Sequence, residues 1–397
     1  MKKILIIFIL IIILGAGLWY FLFRAPTSAP VQTQTSSTPF GVVDANQTRV
    51  IAESKETGLQ TNSNISLSVS KTNTPWKLLD GRIAGFSFIT NSTSTKVVAV
   101  EKGTGHVYKS DFSQNLEKIS NRTINRTVSA KITTTGKYAL ITKESDAGIP
   151  ELYLLDLSSG NDPVLVAQGN VFQTAFSPSG KSFAYIQNSE NSISLITKEI
   201  SSLKSKTIWS SPIKGFIFDW PVENTFSVFT KPSNGAGGYS YTISPLGAAD
   251  KIVGDLNSLS IKLDHTGKKY IESYFSNNNL SFVLNNGTEE IALLPMTLAD
   301  KCAWANKDTD LVLCFTQDNL PLENMPDLWY QGVVRIHDTN LWKFDSKQQI
   351  KKLVSSWDLN NYDFDAVSIQ ISADDNFTGW IDKNDDSLWV MKLDLGN

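Results

Sequence analysis

The chain has 397 residues, and its 36 basic and 39 acidic side chains leave a formal net charge of -3. The basic residues form no run that could follow a phosphate backbone, which argues against nucleic acid as a partner. Two cysteines and three histidines are too few for a disulfide framework or a multi-cysteine metal site, so neither a metal nor a cofactor is expected.

Residues 1–24 are predicted to form a single transmembrane signal anchor. Lys2 and Lys3 precede an uncharged run over residues 4–23, which at about 1.5 Å per residue spans a hydrocarbon core of roughly 30 Å. The amino-terminal lysines favour a cytoplasmic start, so the rest of the chain would be periplasmic or exposed at the cell surface. A cleaved signal peptide is the alternative, although the run exceeds the usual apolar core of about 7–15 residues.

Residues 25–74 are rich in Ser, Thr, Asn and Gln and contain few aromatic residues. Such a composition buries too little apolar area to offset the entropy of ordering the chain. We therefore expect a flexible stalk between the anchor and a folded domain over residues 75–397.

One pattern recurs from residue 75 onward: an apolar strand, a short polar turn and a second apolar strand. Its seven turn centres lie at Thr93, Gly136, Gly180, Asn224, Gly267, Asp308 and Asp375. The intervals are 43, 44, 44, 43, 41 and 67 residues, and all but the last match the roughly 40–45 residues of a four-stranded propeller blade. An open array of β-sandwiches, the alternative, has no constant period.

The predicted fold class is therefore all-β, a seven-bladed β-propeller of four-stranded antiparallel blades preceded by one transmembrane helix. The last copy ends after its third strand, and Trp76–Asp80 precedes the first copy and has the character of a fourth strand. This segment is expected to complete the last blade, which removes the two unpaired sheet edges of an open ring. The stalk would then enter on the face opposite the long loops between second and third strands.

The turns SPSGKSFAY, TTTGKYAL and DHTGKKYIE resemble the S-P-D-G-x-x-I-A-Y repeat of TolB-like propellers over residues 75–397. The turn at Ser177–Gly180 departs from that repeat because Ser179 replaces the aspartate. The resemblance implies an extracytoplasmic scaffold that binds other envelope proteins.

No motif for nucleotide, dinucleotide, metalloprotease or nucleophile-elbow chemistry is present in the sequence. Paired loop carboxylates could still serve a glycosidase, but the sequence cannot place Asp363 and Asp365 against a partner. The segment 382–386 is rich in carboxylates but lacks the spacing of a calcium loop, which favours a solvated hairpin. No catalytic residue and no metal ligand is predicted.

Cys302 and Cys314 lie six residues on either side of Asp308, the centre of a predicted hairpin turn. Directly opposed residues in an antiparallel pair have Cβ atoms about 4.5–5.5 Å apart, close to disulfide reach. Export would supply oxidising conditions, so a disulfide is predicted, with two buried free thiols as the alternative.

The long last interval contains an insertion from Gln317 to Asn340. Trp329, Tyr330 and Arg335 are of types enriched at interface hot spots, and we expect them to contact a partner. In the alternative, the loop folds over its own blade and buries Trp329.

The sequence favours a non-enzymatic binding or scaffold module, tethered to the membrane through its amino-terminal helix, that recognises a protein or an envelope polymer with the stalk-distal propeller face. The alternative is a propeller glycoside hydrolase or lyase that uses loop carboxylates near the axial funnel. A purely structural component of an envelope assembly is a third possibility.

Overall fold

The computed structural model of the chain describes residues 73–92, 94–112, 116–276 and 279–395. The predicted anchor (1–24), nearly all of the predicted stalk (25–72) and the first turn centre, Thr93, lie outside these residues. No helix within the described ranges has the length and apolar character needed to cross a membrane.

The described residues form antiparallel sheets arranged as propeller blades. The first strand, β1 (Pro75–Leu79), belongs to the last blade. Blades 1 to 3 then follow the chain in order: β2 (Ile83–Thr90), β3 (Thr95–Glu101), β4 (Val107–Ser110), β5 (Leu116–Ser120), β6 (Thr127–Ile132), β7 (Tyr138–Glu144), β8 (Pro150–Asp156), β9 (Val164–Gln168), β10 (Val171–Phe176), β11 (Ser182–Asn188), β12 (Ile193–Glu199) and β13 (Ser205–Ser211).

Blades 4 and 5 share one long strand. Their strands are β14 (Phe216–Val222), β15 (Thr225–Thr230), β16 (Gly237–Ile243), β17 (Ala249–Leu263), β18 (Tyr270–Ser276), β19 (Asn279–Asn285) and β20 (Glu290–Ala292). The first part of β17 pairs with β16, and its last part pairs with β18. This strand is therefore the fourth of blade 4 and the first of blade 5, where two separate strands were predicted.

Blades 6 and 7 complete the described fold. A 3-10 turn (Ala299–Lys301) and a short helix, α1 (Asp327–Tyr330), accompany β21 (Cys302–Trp304), β22 (Leu311–Thr316), β23 (Asn340–Asp345), β24 (Ile350–Ser356), β25 (Ala366–Ile371), β26 (Phe377–Asp382) and β27 (Leu388–Lys392). Counting β17 in both of its blades, the described strands make seven four-stranded units.

The core lies between blades. Second strands such as β7 and β22 are buried over consecutive residues, because each blade packs on both faces against a neighbour. Outer strands such as β24 are largely exposed. The innermost strands touch in sequence from β2 through β6 and β10 to β14, and β25 touches both β21 and β2.

The predicted closing strand is confirmed. β1 pairs with β27, with Lys77 opposite Trp389, so the final blade combines the first described strand with the last three. The ring is thereby sealed by main-chain hydrogen bonds, and the edges that an open ring would expose are paired.

The propeller has two different faces. We call "turn face" the one with the tight turns at Gly136, Gly180 and Gly267, whose φ values are 68°, 66° and 72°. These positive φ values explain the glycines, because other residues rarely adopt that conformation. We call "loop face" the opposite one, which carries the loops that enter first strands and the loops between second and third strands. Asn73 lies at the turn face, since it bonds Asp394, and the neighbouring Leu393 bonds the turn residue Asn376.

Candidate functional site

The insertion lies across the loop face and contacts blades 4 to 7. Its Asp327 carboxylate accepts hydrogen bonds from Ser233 Oγ, at 3.0 Å, and from the Asn234 amide, both in a loop of blade 4. Met325 packs with Phe275 of blade 5 in an apolar cluster that also includes parts of the insertion. The insertion is therefore an ordered part of the propeller surface.

Trp329 points into the protein and is only 2% exposed. Its Nε1 donates to both carboxylate oxygens of Asp365, at 3.1 and 3.0 Å. Two ammonium groups lie near its ring: Lys383 Nζ is 4.6 Å and Lys301 Nζ 5.2 Å from the centroid. Trp329 is therefore buried by internal contacts, as in the alternative in which the loop folds over its own blade, and its contact with a partner stays a prediction.

Tyr330 is also directed inward and is half-buried. Its hydroxyl donates to Asp300 Oδ2 at 3.0 Å, and Ser260 Oγ bonds the same oxygen. Burial, together with the Asp300 charge, raises the pKa of Tyr330 well above its ordinary value. This ring therefore anchors α1 above the first strands of blades 5 and 6.

Arg335 remains at the surface. Its guanidinium binds Asp363, with Nη1 3.0 Å from Oδ2 and Nη2 3.0 Å from the main-chain oxygen. His337 Nδ1 lies 2.8 Å from the other carboxylate oxygen of Asp363. Nearby in sequence, Val333 is 68% exposed. We call Val333, Arg335, His337 and Asp363 the loop-face patch.

Three fully buried charges meet where the insertion packs on blades 6 and 7, one of them from the insertion itself (Asp338), and we call them the buried triad: Lys301, Asp338 and Asp365. Lys301 Nζ is 2.9 Å from Asp338 Oδ2 and in direct contact with Asp365 Oδ1, and all three side chains are at most 1% exposed. The amide of Ala366 also donates to Asp338, and that of Ile336 donates to Asp365. Burial raises the pKa of Asp338 to about 6, against the opposing charge of Lys301.

The carboxylates considered for catalysis are engaged in internal contacts. Asp365 belongs to the buried triad, and Asp363 binds Arg335 and His337. In the segment 382–386, Asp382 accepts from the Asn384 side chain and Asp385 accepts from Lys77. Within the described ranges, no three His, Cys, Asp or Glu side chains are grouped so that they could hold a metal ion.

A set of charged residues that was not predicted lies on the innermost strands of blades 2, 4 and 5. Lys131 and Asp219 are exposed on the innermost strands of blades 2 and 4. Burial, with a smaller contribution from Lys131, lowers the pKa of Lys262 in blade 5, and Asp219 opposes that shift. Each of the three lies five residues before its turn centre, so superposing the repeats would have revealed them.

Cys302 and Cys314 face each other across β21 and β22 and are joined by a disulfide. Their Cα atoms are 4.1 Å apart, and both side chains are fully buried. The two cysteines are therefore in the cross-strand arrangement expected from their equal distances to Asp308.

No protein-family model and no curated protein matches this chain. Among solved structures, the chain is similar to the β-propeller domain of the Trilobed protease from Pyrococcus furiosus, with a TM-score of 0.53 and 10% identity over 78% of this chain and 95% of that one. An oligogalacturonate lyase in complex with manganese gives a TM-score of 0.52 and 10% identity over 82% and 98% of the two chains.

TolB from Acinetobacter baumannii also matches, with a TM-score of 0.42 and 15% identity over 68% of this chain and 62% of that one. The first two similarities show the β-propeller fold, and at these identities they show the fold alone. The Pyrococcus domain is described as having an open velcro topology, whereas here β1 and β27 seal the ring.

Proposed function

We propose that this protein is a non-enzymatic binding or scaffold module outside the cytoplasm, tethered to the membrane by residues 1–24, and that its loop face recognises a protein or an envelope polymer. The observation that carries the proposal is the position of the insertion over blades 4 to 7, held by internal contacts, which leaves Val333 68% exposed and the Arg335 side chain 29% exposed on its surface. A surface ordered before binding loses little conformational entropy when a partner docks.

Two features support an extracytoplasmic location. The uncharged run over residues 4–23 is long enough to cross a bilayer and follows two lysines. The buried disulfide between Cys302 and Cys314 belongs to a class of bonds that persists in oxidising compartments and is rare in the cytosol.

Site-specific photo-crosslinking in intact cells tests which face is used. A photoreactive residue at Val333, on the loop face, is compared with one at Leu246, which is 90% exposed in a loop on the turn face. We expect one discrete adduct from Val333 and none from Leu246. Adducts from Leu246 alone would contradict the proposed orientation.

A second measurement separates a protein from a polymer and tests the remaining alternatives. Protease treatment removes a protein adduct, and glycan-degrading enzymes remove a polymer adduct. A partner that co-purifies in fixed ratio even when Arg335 is replaced by Ala would favour a structural component of an assembly. Turnover of an envelope glycan, abolished by Asp363→Asn, would replace the binding module with the hydrolase or lyase.

A further inference from the structure

The buried triad brings an amine and a carboxyl group into direct contact in a site closed to solvent. Lys301 ends the turn that leads into β21, and Asp365 directly precedes β25, so the contact joins the first strands of blades 6 and 7 across 64 residues of sequence. Neither side chain is more than 1% exposed. Water, which competes as a nucleophile and favours hydrolysis of amides, is excluded from this contact.

We propose that Lys301 and Asp365 condense to form an intramolecular amide, an isopeptide bond that links blade 6 to blade 7, with Asp338 transferring the proton. The Lys301 ammonium gives one proton to Asp338, and the resulting amine attacks Cγ of Asp365. The C–O bond to one Asp365 oxygen then breaks. That oxygen leaves as water, carrying the proton returned by Asp338 and a second proton from the amine.

The step balances without any further reactant. One ammonium and one carboxylate become one neutral amide and one water, no electrons are transferred, and Asp338 ends in the protonation state in which it began. The product also replaces the buried charges of Lys301 and Asp365 with a neutral group that has a much smaller desolvation penalty, while Asp338 loses its cation and keeps the hydrogen bond from the Ala366 amide. Holding the reacting groups in contact supplies the proximity that intramolecular reactions exploit.

Asp338 is placed for proton transfer. Its Oδ2 lies 2.9 Å from Lys301 Nζ, within the reach required of a general base. A proton passed along this contact arrives at Oδ2, which also accepts a hydrogen bond from the Ala366 amide, while Oδ1 is buried and has no hydrogen-bond partner among the described residues. Burial raises the pKa of Asp338 to about 6, which brings it nearer to neutral pH than that of an exposed aspartate.

Two N–H groups are aimed at the carboxyl group that would be attacked. Trp329 Nε1 donates to both oxygens of Asp365, and the Ile336 amide donates to Oδ2 at 3.1 Å. Donors in this arrangement stabilise the negative charge that develops on oxygen in a tetrahedral intermediate. The inward position of Trp329 thus gains a chemical role as a positioning and charge-stabilising group.

The chain contains a matched control pair. Lys269 Nζ is also in direct contact with a carboxylate, that of Asp310, but the Asp310 side chain is 34% exposed. Within the described ranges, Lys269 pairs with no second carboxylate. We expect this pair to remain an ordinary ion pair.

The intact mass of the full-length protein, measured after denaturation and reduction of the disulfide, tests the bond. We expect the wild-type mass to be one water lower than the sequence mass, and tandem mass spectrometry of a digest to show a branched peptide joining Lys301 to Asp365. A wild-type mass equal to the sequence mass, after prolonged incubation of the folded protein, would overturn the proposal. Loss of water located at a single aspartate, without a branched peptide, would also overturn it.

Variants then test the roles. Lys301→Arg keeps the charge but not the nucleophile, and Asp338→Asn removes the proton acceptor; both should have the full sequence mass. Lys269→Arg should still be one water lighter. Trp329→Phe should slow the appearance of the lighter species after refolding. A branched peptide in Asp338→Asn would exclude Asp338 as the proton carrier, and because the wild-type mass alone decides the bond, misfolding of a variant leaves the test intact.

Discussion

Two charge clusters on the loop face connect neighbouring blades, and they differ in their access to water. Between blades 6 and 7, Lys301, Asp338 and Asp365 are fully buried. Between blades 7 and 1, Asp386 binds Lys102 at 2.8 Å and Arg82 at 3.5 Å, and the side chains of Asp386, Lys102 and Arg82 are 25%, 29% and 73% exposed. A charge that loses its partner in the first cluster cannot be solvated, whereas one in the second cluster can be. Removing one partner of an ion pair should therefore destabilise the folded protein much more in the first cluster than in the second.

The largest effect is expected from Lys301→Met. This change removes the proposed amide and leaves Asp338 and Asp365 buried without a contacting cation; the loss of such a cation alone typically lowers the free energy of unfolding by about 3–5 kcal/mol. Urea denaturation at neutral pH measures the loss. The matched substitution at the exposed cluster, Lys102→Met, should lower it by less than about 1 kcal/mol. Equal losses of unfolding free energy in the two variants would show that burial does not distinguish the two clusters energetically.

A second effect concerns the covalent connection next to Lys301. Replacing both Cys302 and Cys314 by Ala opens a loop with a sequence separation of 12 residues. On the chain-entropy argument, the free energy of unfolding should fall by about 3 kcal/mol. In the wild-type protein, denatured without reductant, thiol titration should find no free thiol. Two titrated thiols would show that the bond is absent.

Glu272 shows what a buried charge does without a cation. Its side chain is 3% exposed, and burial, assisted by Glu290, raises its pKa from 4.5 to about 7. Between these values the folded protein binds more protons than the unfolded chain, so stability falls as pH rises through that window. Glu272→Gln should therefore be more stable than wild type by about 1–3 kcal/mol at pH ~8, and the difference should vanish by pH ~4. A constant difference across the pH series of melting curves would contradict this.

The smallest effect is expected at the exposed cluster. Asp386→Asn removes the carboxylate shared by Lys102 and Arg82, and exposed pairs typically contribute about 0.2–1 kcal/mol. The loss should shrink further in high salt, because solvent-exposed charges are screened. A loss above about 2 kcal/mol that does not change with salt would contradict this, because it would show that the cluster between blades 7 and 1 behaves as a buried ion pair.

The regular part of the fold was predictable because each blade repeats the same local pattern of an apolar strand, a polar turn and a second apolar strand. The repeating turns locate the blades, and the closing role of Trp76–Asp80 follows from the missing fourth strand. The same logic placed Cys302 opposite Cys314. The continuous strand β17 was not predicted, since neither segment shows in its own sequence that the link between blades 4 and 5 stays extended.

The loop face was predictable only in outline. The sequence located the insertion, but it could not show that Trp329 would bind a carboxylate 36 residues away. The sequence alone does not distinguish a tryptophan that is exposed at an interface from one that is buried, because the difference lies in the residues that contact it in the folded protein. The buried triad was likewise invisible, because Lys301, Asp338 and Asp365 belong to three separate segments that meet only after blades 6 and 7 are in place.

The pairing of β1 with β27 has a consequence for biosynthesis. Lys77 in β1 binds Asp385, which follows it by 308 residues, so the partner of the first strand emerges from the ribosome long after the strand itself. During that interval the backbone N–H and C=O groups with which β1 later pairs to β27 have no partner strand. Premature termination before β27 would leave β1 permanently without its pairing strand. A defect in the last blade therefore exposes the backbone of a strand more than 300 residues earlier in the chain.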